Sequence, residues 1–333
     1  MSRRSTRFTQ AFAVALTVTF LLSVPRHSEA QAEPGWTPPR TSWGDPDLQG
    51  TYSNRSESGT PLERPREFEG RELAEIDREE LSALKAEAQA DTVQRFAGPL
   101  HAPDGWWQPD LTMVDGSQAW FIVDPPDGRI PPLTPQAEAR AEARAEARRT
   151  STRGPADSYL DRSLYDRCIT RGLPGSMMPA IYGNSYDITQ APGYVVIRYE
   201  MVHEARVIPI DGPEHLAPRI RSYMGDARGH WEGSTLVVET KSFRPETSYR
   251  NANPDTLRLI ERFTRIAPDK VQWSVTVDDP DTWTLPWTLT MPLTMDATQP
   301  VLEYSCHEGN RGLRNILSAA RAQEAETREG EGQ

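Results

Sequence analysis

Cysteine is scarce in this chain: Cys168 and Cys306 are the only two among 333 residues. No Cys-x-x-Cys pair occurs, which argues against a thioredoxin-type redox motif. Gly-x-Ser-x-Gly, a phosphate-binding glycine loop and His-Glu-x-x-His are missing as well. Their absence argues against a serine hydrolase, a nucleotide enzyme and a zincin. Positive charge is in deficit, with 37 Lys and Arg against 48 Asp and Glu, a net charge of −11. Residues 1–30 carry four arginines and Glu29, a net +3, so the remainder stands at −14. Such an acidic chain repels nucleic acid and anionic lipid, and neither is expected as a partner. Beyond residue 24 no apolar run is long enough to span a bilayer.

What is present begins with an export signature. Arg3, Arg4 and Arg7 precede an apolar run over residues 11–24, and small-residue cleavage sites follow at Ala30 and Ala32. This reads as a secretory signal peptide over residues 1–30 and a periplasmic or secreted product, with no membrane insertion after the signal is removed. Two cysteines in an oxidising compartment favour a Cys168–Cys306 disulfide over two free thiols. Closing so long a loop stabilises by about 4–5 kcal/mol in the chain-entropy model.

Residues 31–150 read as a wrapping segment, extended in part and helical in part. "DLQGTYSN" offers one short strand, and Leu73, Ile76, Leu81 and Leu84 recur near helical spacing over residues 70–93. Trp106, Trp107 and Trp120 come close together, and residues 119–123 form a second strand before the turn at Asp127-Gly128. "TPQAEARAEARAEARR" predicts a solvated surface helix, with Thr134 as cap and Pro135 at its first position.

After residue 151 short strand-like runs alternate with turns: "YVVIRYEM", "ARVIPID", "IRSYMG", "STLVVETKSF", "LRLIERFTRI", "VQWSVTVDD", "WTLPWTLTM" and "VLEYSC". Trp283, Leu285, Trp287, Leu289, Met291 and Leu293 fall on one face of such a strand. Eight runs at this spacing predict a mainly β, antiparallel barrel or sandwich. A lipocalin-like barrel is favoured, because closure removes exposed edges. The barrel domain is expected over residues 151–327. It ends in a helix with Leu313, Ile316, Leu317 and Ala320 as its apolar stripe, and residues 328–333 are expected to be a disordered tail.

The motifs "DPPDGRIPPLTP", "GHWEGSTLVVET" and "EYSCHEGN", with "RCITRGLPGSMMPAIYGNSYDITQAPGY" and "TVDDPDTWTLPWT", resemble a family of secreted, largely uncharacterised bacterial proteins. The resemblance covers most of the chain after the signal. It implies export and one coherent unit, and it implies no reaction.

Two clusters hold side chains suited to chemistry. In "YEMVHEAR", a continuing strand would put His203 on one face and Glu200, Glu204 and Arg206 on the other. A surface ion-pair ladder is the plain reading of the second face. An acid/base pair of His203 with a carboxylate from another strand is the functional one. In "EYSCHEGN", a disulfide at Cys306 would leave His307 and Glu308 as candidates on a hinge, with Gly309-Asn310 turning the chain into the last helix. Asp226, His230 and Glu232 read as a hairpin turn, and Asp278, Asp279 and Asp281 as an Asx-type turn, with a cation site as the minor alternative. The expected function is an exported small-molecule enzyme with its site at the barrel mouth. His203 or His307 would be the base, Glu200, Glu204 or Glu308 the orienting carboxylate or acid, and Arg206 the anion holder, with no cofactor. A non-catalytic carrier for an apolar or sugar-like ligand is the first alternative. A metal site of His203, His230 and His307 is the second.

Overall fold

The computed structural model describes residues 36–96, 117–180, 182–296 and 300–331. The expected signal peptide, Trp106 and Trp107 lie outside these residues. Among the described residues no helix is long and apolar enough to cross a membrane.

The strands are β1 (Gly50–Ser53), β2 (Ile122–Asp124), β3 (Ser185–Ala191), β4 (Tyr194–Tyr199) and β5 (Ala205–Pro209), then β6 (Asp226–Glu232), β7 (Thr235–Lys241), β8 (Arg258–Ala267), β9 (Lys270–Asp278) and β10 (Trp287–Met295). Nine of them make one path in the order β5-β4-β3-β1-β10-β9-β8-β7-β6. Every neighbour on that path is antiparallel. The result is a nearly closed antiparallel barrel, as the spacing of the strand-like runs predicts.

Nine is an odd number, and strict alternation leaves β5 and β6 running the same way. They meet only at a parallel bridge of Ile210 with Gly229, where the Asp211 amide donates to the Gly229 carbonyl at 2.9 Å. Residues 211–225 therefore carry the chain back along the barrel before β6 begins. Gly229 permits the contact: a Cβ there would lie 2.6 Å from Ile210 Cδ1 and 3.0 Å from Ile208 Cγ2. A glycine inside a strand often marks such a close approach. Sequence reasoning took the same residue for part of a turn.

The barrel is not confined to residues 151–327. β1 supplies the strand between β3 and β10, pairing Tyr52 with Met295 and Ser53 with Thr294. β2 pairs with the other end of β10, at Thr288 and Leu289. "IRSYMG" forms no strand and belongs to the return connection, and "VLEYSC" forms none either. On β10 the apolar stripe runs from Trp287 to Leu293, but Leu285 is exposed because the strand starts after it. Inside the barrel, Trp273, Trp287, Phe263, Tyr186 and Tyr199 pack in one cluster with the aliphatic side chains of β3 to β10.

One ion pair crosses this core. Arg206 faces inward beside Ile208 on β5, and Glu261 lies between Leu259 and Phe263 on the inward face of β8. The two make a bidentate pair through Arg206 Nη1 to Glu261 Oε2 and Nη2 to Oε1, the latter at 3.1 Å. Trp273 Nε1 donates to Glu261 Oε1 at 3.1 Å. Burial alone would lower the arginine pKa, but the Glu261 charge outweighs it and the guanidinium stays protonated.

The helices are α1 (Arg78–Phe96), α2 (Pro135–Thr150) and α3 (Arg311–Glu331). Leu73, Ile76, Leu81 and Leu84 pack on Phe68, Ala119 and Trp120, which is the stripe read from the sequence. Lys85 is buried under α1, donates to the Ser56 carbonyl at 3.1 Å and to Thr60 Oγ1, and lies 3.8 Å from Glu57 Oε2. Thr134 Oγ1 caps α2 by accepting from the Ala137 amide at 3.1 Å. The half-buried face of α3 holds Leu313, Ile316, Leu317 and Ala320, as expected, and the helix runs on through Arg328 into the segment expected to be disordered.

Two outcomes test this architecture. Arg206→Met should cost about 3–5 kcal/mol, because it leaves Glu261 charged and unpaired in the core. Arg206→Met with Glu261→Met should recover most of that loss, and urea denaturation of both variants reads the difference. Gly229→Ala should cost about 1–3 kcal/mol through overpacking at the β5–β6 contact. An unchanged urea midpoint in that variant would show that the two strands do not approach so closely.

Candidate functional site

Strand alternation brings several connections to one end of the barrel: the β4–β5 turn, the β7–β8 connection, the β9–β10 connection and the segment entering β3. The β4–β5 turn interrupts the strand expected through "YEMVHEAR". Val202 and His203 both take positive φ, 61° and 60°. A β-branched residue in that region is a genuine outlier and marks stored strain. At the same end Arg250 and Asn251 also have positive φ, 51° and 63°. Their loop is tied down by buried Asp279, which accepts from the Asn253 amide and from Thr256 Oγ1, each at 2.6 Å. Asp279 also accepts from the Asp281 amide at 3.1 Å, so the acidic turn is a structural fastening.

A cavity of about 640 Å³ opens among these connections. Tyr165, Tyr182, Tyr249, Leu173, Arg171 and Arg250 line it. Neither arginine forms an ion pair with a carboxylate among the described residues. Glu246 also lines the cavity, but its charge is taken by Arg244 at 3.0 Å. Arg171 lies over the Tyr165 ring at 5.9 Å, and Arg250 over Tyr249 at 5.8 Å. Tyr304 stacks on Tyr182 with ring centroids 6.1 Å apart, and their hydroxyls approach to 3.5 Å. Burial and hydrogen bonding from Tyr182 and Tyr165 push the Tyr304 phenol up. Tyr165 is pushed up mainly by burial. Both phenols stay protonated near neutral pH and can donate.

The five residues proposed for acid/base work are spread over distinct places. His203 is exposed on the turn. Glu204 accepts from Thr170 Oγ1 at 2.8 Å and supports the cavity wall from behind. Arg206 is committed to Glu261 inside the barrel and is not presented to an anion. His307 and Glu308 are exposed. No hydrogen bond or ion pair joins any two of the five. His230 pairs with Glu232 at 3.1 Å on the outer wall. Among the described residues no three His, Cys, Asp or Glu side chains are grouped to hold a metal ion.

The corner at "EYSCHEGN" does reach this end of the barrel, through Tyr304. Cys306 is bonded to Cys168 as expected, with Cα atoms 5.6 Å apart. Gly309 takes φ 64°, and Asn310 Oδ1 caps α3 by accepting from the Leu313 amide at 3.1 Å. Sequence reasoning missed Tyr165, Arg171, Tyr182, Arg250 and Tyr304. The one available signal was proximity: Tyr165 and Arg171 flank Cys168, and Tyr304 precedes Cys306 by two positions.

No family model matches this chain, and no curated protein matches it. Among solved structures, the chain is similar to a secretory abundant heat soluble (SAHS) protein from Ramazzottius varieornatus. The identity is 10% and the TM-score 0.24, over 40% of this chain and 87% of that one. A likeness at this level carries no functional argument.

Glu204 gives the site a pH signature. Burial raises its pKa above the ordinary glutamate value, against the lowering effect of its hydrogen bonds. The folded protein therefore holds this proton more tightly than the unfolded chain does. Its contribution to stability is present below the unfolded pKa of about 4.3 and is lost as pH rises through the folded value. Glu204→Gln should remove that loss. The stability of the native protein relative to Glu204→Gln should fall between about pH 4 and neutrality, read by urea midpoints across the range.

Proposed function

We propose that the protein binds a small organic anion with a flat ring in the cavity at the end of the barrel, without catalysing a reaction on it. The observation that carries this reading is the pairing of two arginines, Arg171 and Arg250, that have no carboxylate partner among the described residues, with a tyrosine-rich wall in one cavity of about 640 Å³. That volume suits a ligand of one or two rings. Tyrosine offers a broad face and a hydroxyl donor, and a guanidinium takes a carboxylate through two donors. In a chain of net charge −11, arginines left free of acidic partners at a concave site favour an anion. Proton-transfer chemistry is less well supported. The Tyr165 and Tyr304 phenols are held protonated, the Glu204 carboxylate is turned into the wall, and neither His203 nor His307 lines the cavity.

Isothermal titration with benzoate and 4-hydroxybenzoate, against benzyl alcohol and 4-hydroxybenzyl alcohol as neutral controls, tests this reading. At least one acid should bind more tightly than its neutral counterpart. Arg171→Ala and Arg250→Ala should each weaken that binding by about 10-fold or more, the worth of a charge-assisted hydrogen bond. Preference for the neutral compounds, or equal binding by both arginine variants, would sink the proposal.

A further inference from the structure

We infer that the Cys168–Cys306 disulfide is a target for thiol–disulfide exchange by a dithiol reductant, attacked at Cys306, and that its reduction frees the arm of residues 300–310 from the tyrosine wall. As regulation of the cavity, this rests on the binding reading above; as chemistry of the arm, it stands alone.

The first observation is asymmetry between the two sulfurs. Cys168 is 3% exposed, whereas Cys306 is only half-buried. An incoming thiolate therefore reaches Cys306 Sγ first. It forms a mixed disulfide there, and Cys168 leaves as the thiolate. Asn310 Nδ2 already donates to Cys168 Sγ at 3.4 Å, so the departing charge has a hydrogen-bond donor in place. The second thiol of the reductant then attacks the mixed disulfide and releases Cys306. The reductant ends as a disulfide, and its two hydrogens end on Cys168 and Cys306. Two electrons pass from the dithiol to the protein.

The second observation is how little else holds the arm. None of residues 300–310 is buried, and none belongs to a strand. Among the described residues its other ties include the contacts of Tyr304 with Tyr182 and Tyr165, Asn310 Nδ2 to the Asp166 carbonyl at 3.0 Å, and, farther along α3, Arg321 to the Asp157 carbonyl at 3.0 Å. By contrast, the nine-strand path closes without the arm. Reduction removes the one strong fastening of the arm and leaves the barrel's own pairing intact. Tyr304 then withdraws from Tyr182 and Tyr165, and the wall of the cavity that those two residues form loses its backing.

The test uses the purified full chain. Oxidised protein is exposed to limiting glutathione and quenched by alkylation, and peptide mass spectrometry locates the mixed disulfide. It should lie on Cys306; a mixed disulfide mainly on Cys168 overturns the inference. Hydrogen exchange is then compared before and after dithiothreitol, and in Cys306→Ser. Residues 300–331 should exchange at least about 10-fold faster in both reduced forms, while β8 to β10 stay protected. Unchanged protection of residues 300–331 overturns the inference, as does a matching loss across β8 to β10, which would make the bond a staple for the whole fold. Stopped-flow release of benzoate adds the ligand: release should be faster from the reduced protein, and equal rates overturn control of the cavity. If neither form binds benzoate or 4-hydroxybenzoate, the binding reading fails and the exchange data alone decide the fate of the arm.

Discussion

An odd ring of strands cannot alternate direction all the way round. That constraint organises the rest of this molecule. With nine strands on the path, one contact must be parallel, and it falls between β5 and β6. A parallel neighbour cannot be reached by a tight turn, so residues 211–225 run back along the wall. The return is fastened to β6: Asp226 accepts from the Leu216 amide at 2.8 Å and from Arg228 at 2.6 Å, and contacts His215 Nδ1 at 3.0 Å. Arg228 Nε also donates to the Pro213 carbonyl at 2.9 Å. Asp226 and Arg228 of "GDARGHWEG" thus serve the seam, while His230 and Glu232 pair on the outer wall. The antiparallel order elsewhere puts the β3–β4, β6–β7 and β8–β9 hairpins at one end and the longer β4–β5, β7–β8 and β9–β10 connections at the other, where the cavity opens.

The core and the cavity divide the polar side chains between them. Inside the barrel, Arg206 and Glu261 satisfy each other, and Trp273 completes the carboxylate's partners. Arg206 Nε finds no partner among the described residues, but the two charges are spent on each other and leave little to offer a ligand. At the barrel end the opposite holds. Arg171 and Arg250 have aromatic neighbours and no carboxylate partner among the described residues. Strained backbone at Val202, Arg250 and Asn251 accompanies them. Strain of this kind persists only where the surroundings over-determine it, and Asp279 supplies restraint to the loop of Arg250 and Asn251.

Much of the wall was legible in the sequence because one-sided burial writes a period of two. β7 to β10 carry that period plainly, and the caps and stripes of α2 and α3 obey local rules that tertiary contacts did not override. β3 was missed because its third inward residue is Gln190, which looks like a solvent residue. It is buried because it accepts from the Leu48 amide at 2.6 Å and donates to the Pro46 carbonyl at 3.1 Å. β6 was missed because Gly229 resembles punctuation, although its missing side chain makes room for Ile208 and Ile210. The cysteine pairing followed from there being only two. The cavity was not legible: its residues come from four separate stretches, and nothing in the spacing of Tyr165, Tyr182, Arg250 and Tyr304 says that they meet. Histidine drew the eye toward His203 and His307, yet charged and polar heads on turns commonly face water.

The pairing of β1 with β10 sets an order of events during synthesis. Tyr52 and Ser53 are made early, and their partners Met295 and Thr294 come more than two hundred residues later. Until β10 emerges, β1 has β3 on one side and an open edge on the other. Contacts this distant in the chain slow folding and leave strand edges exposed in the meantime. The barrel cannot close before β10 has been made, so a nascent chain carries its unfinished sheet until Met295 has emerged.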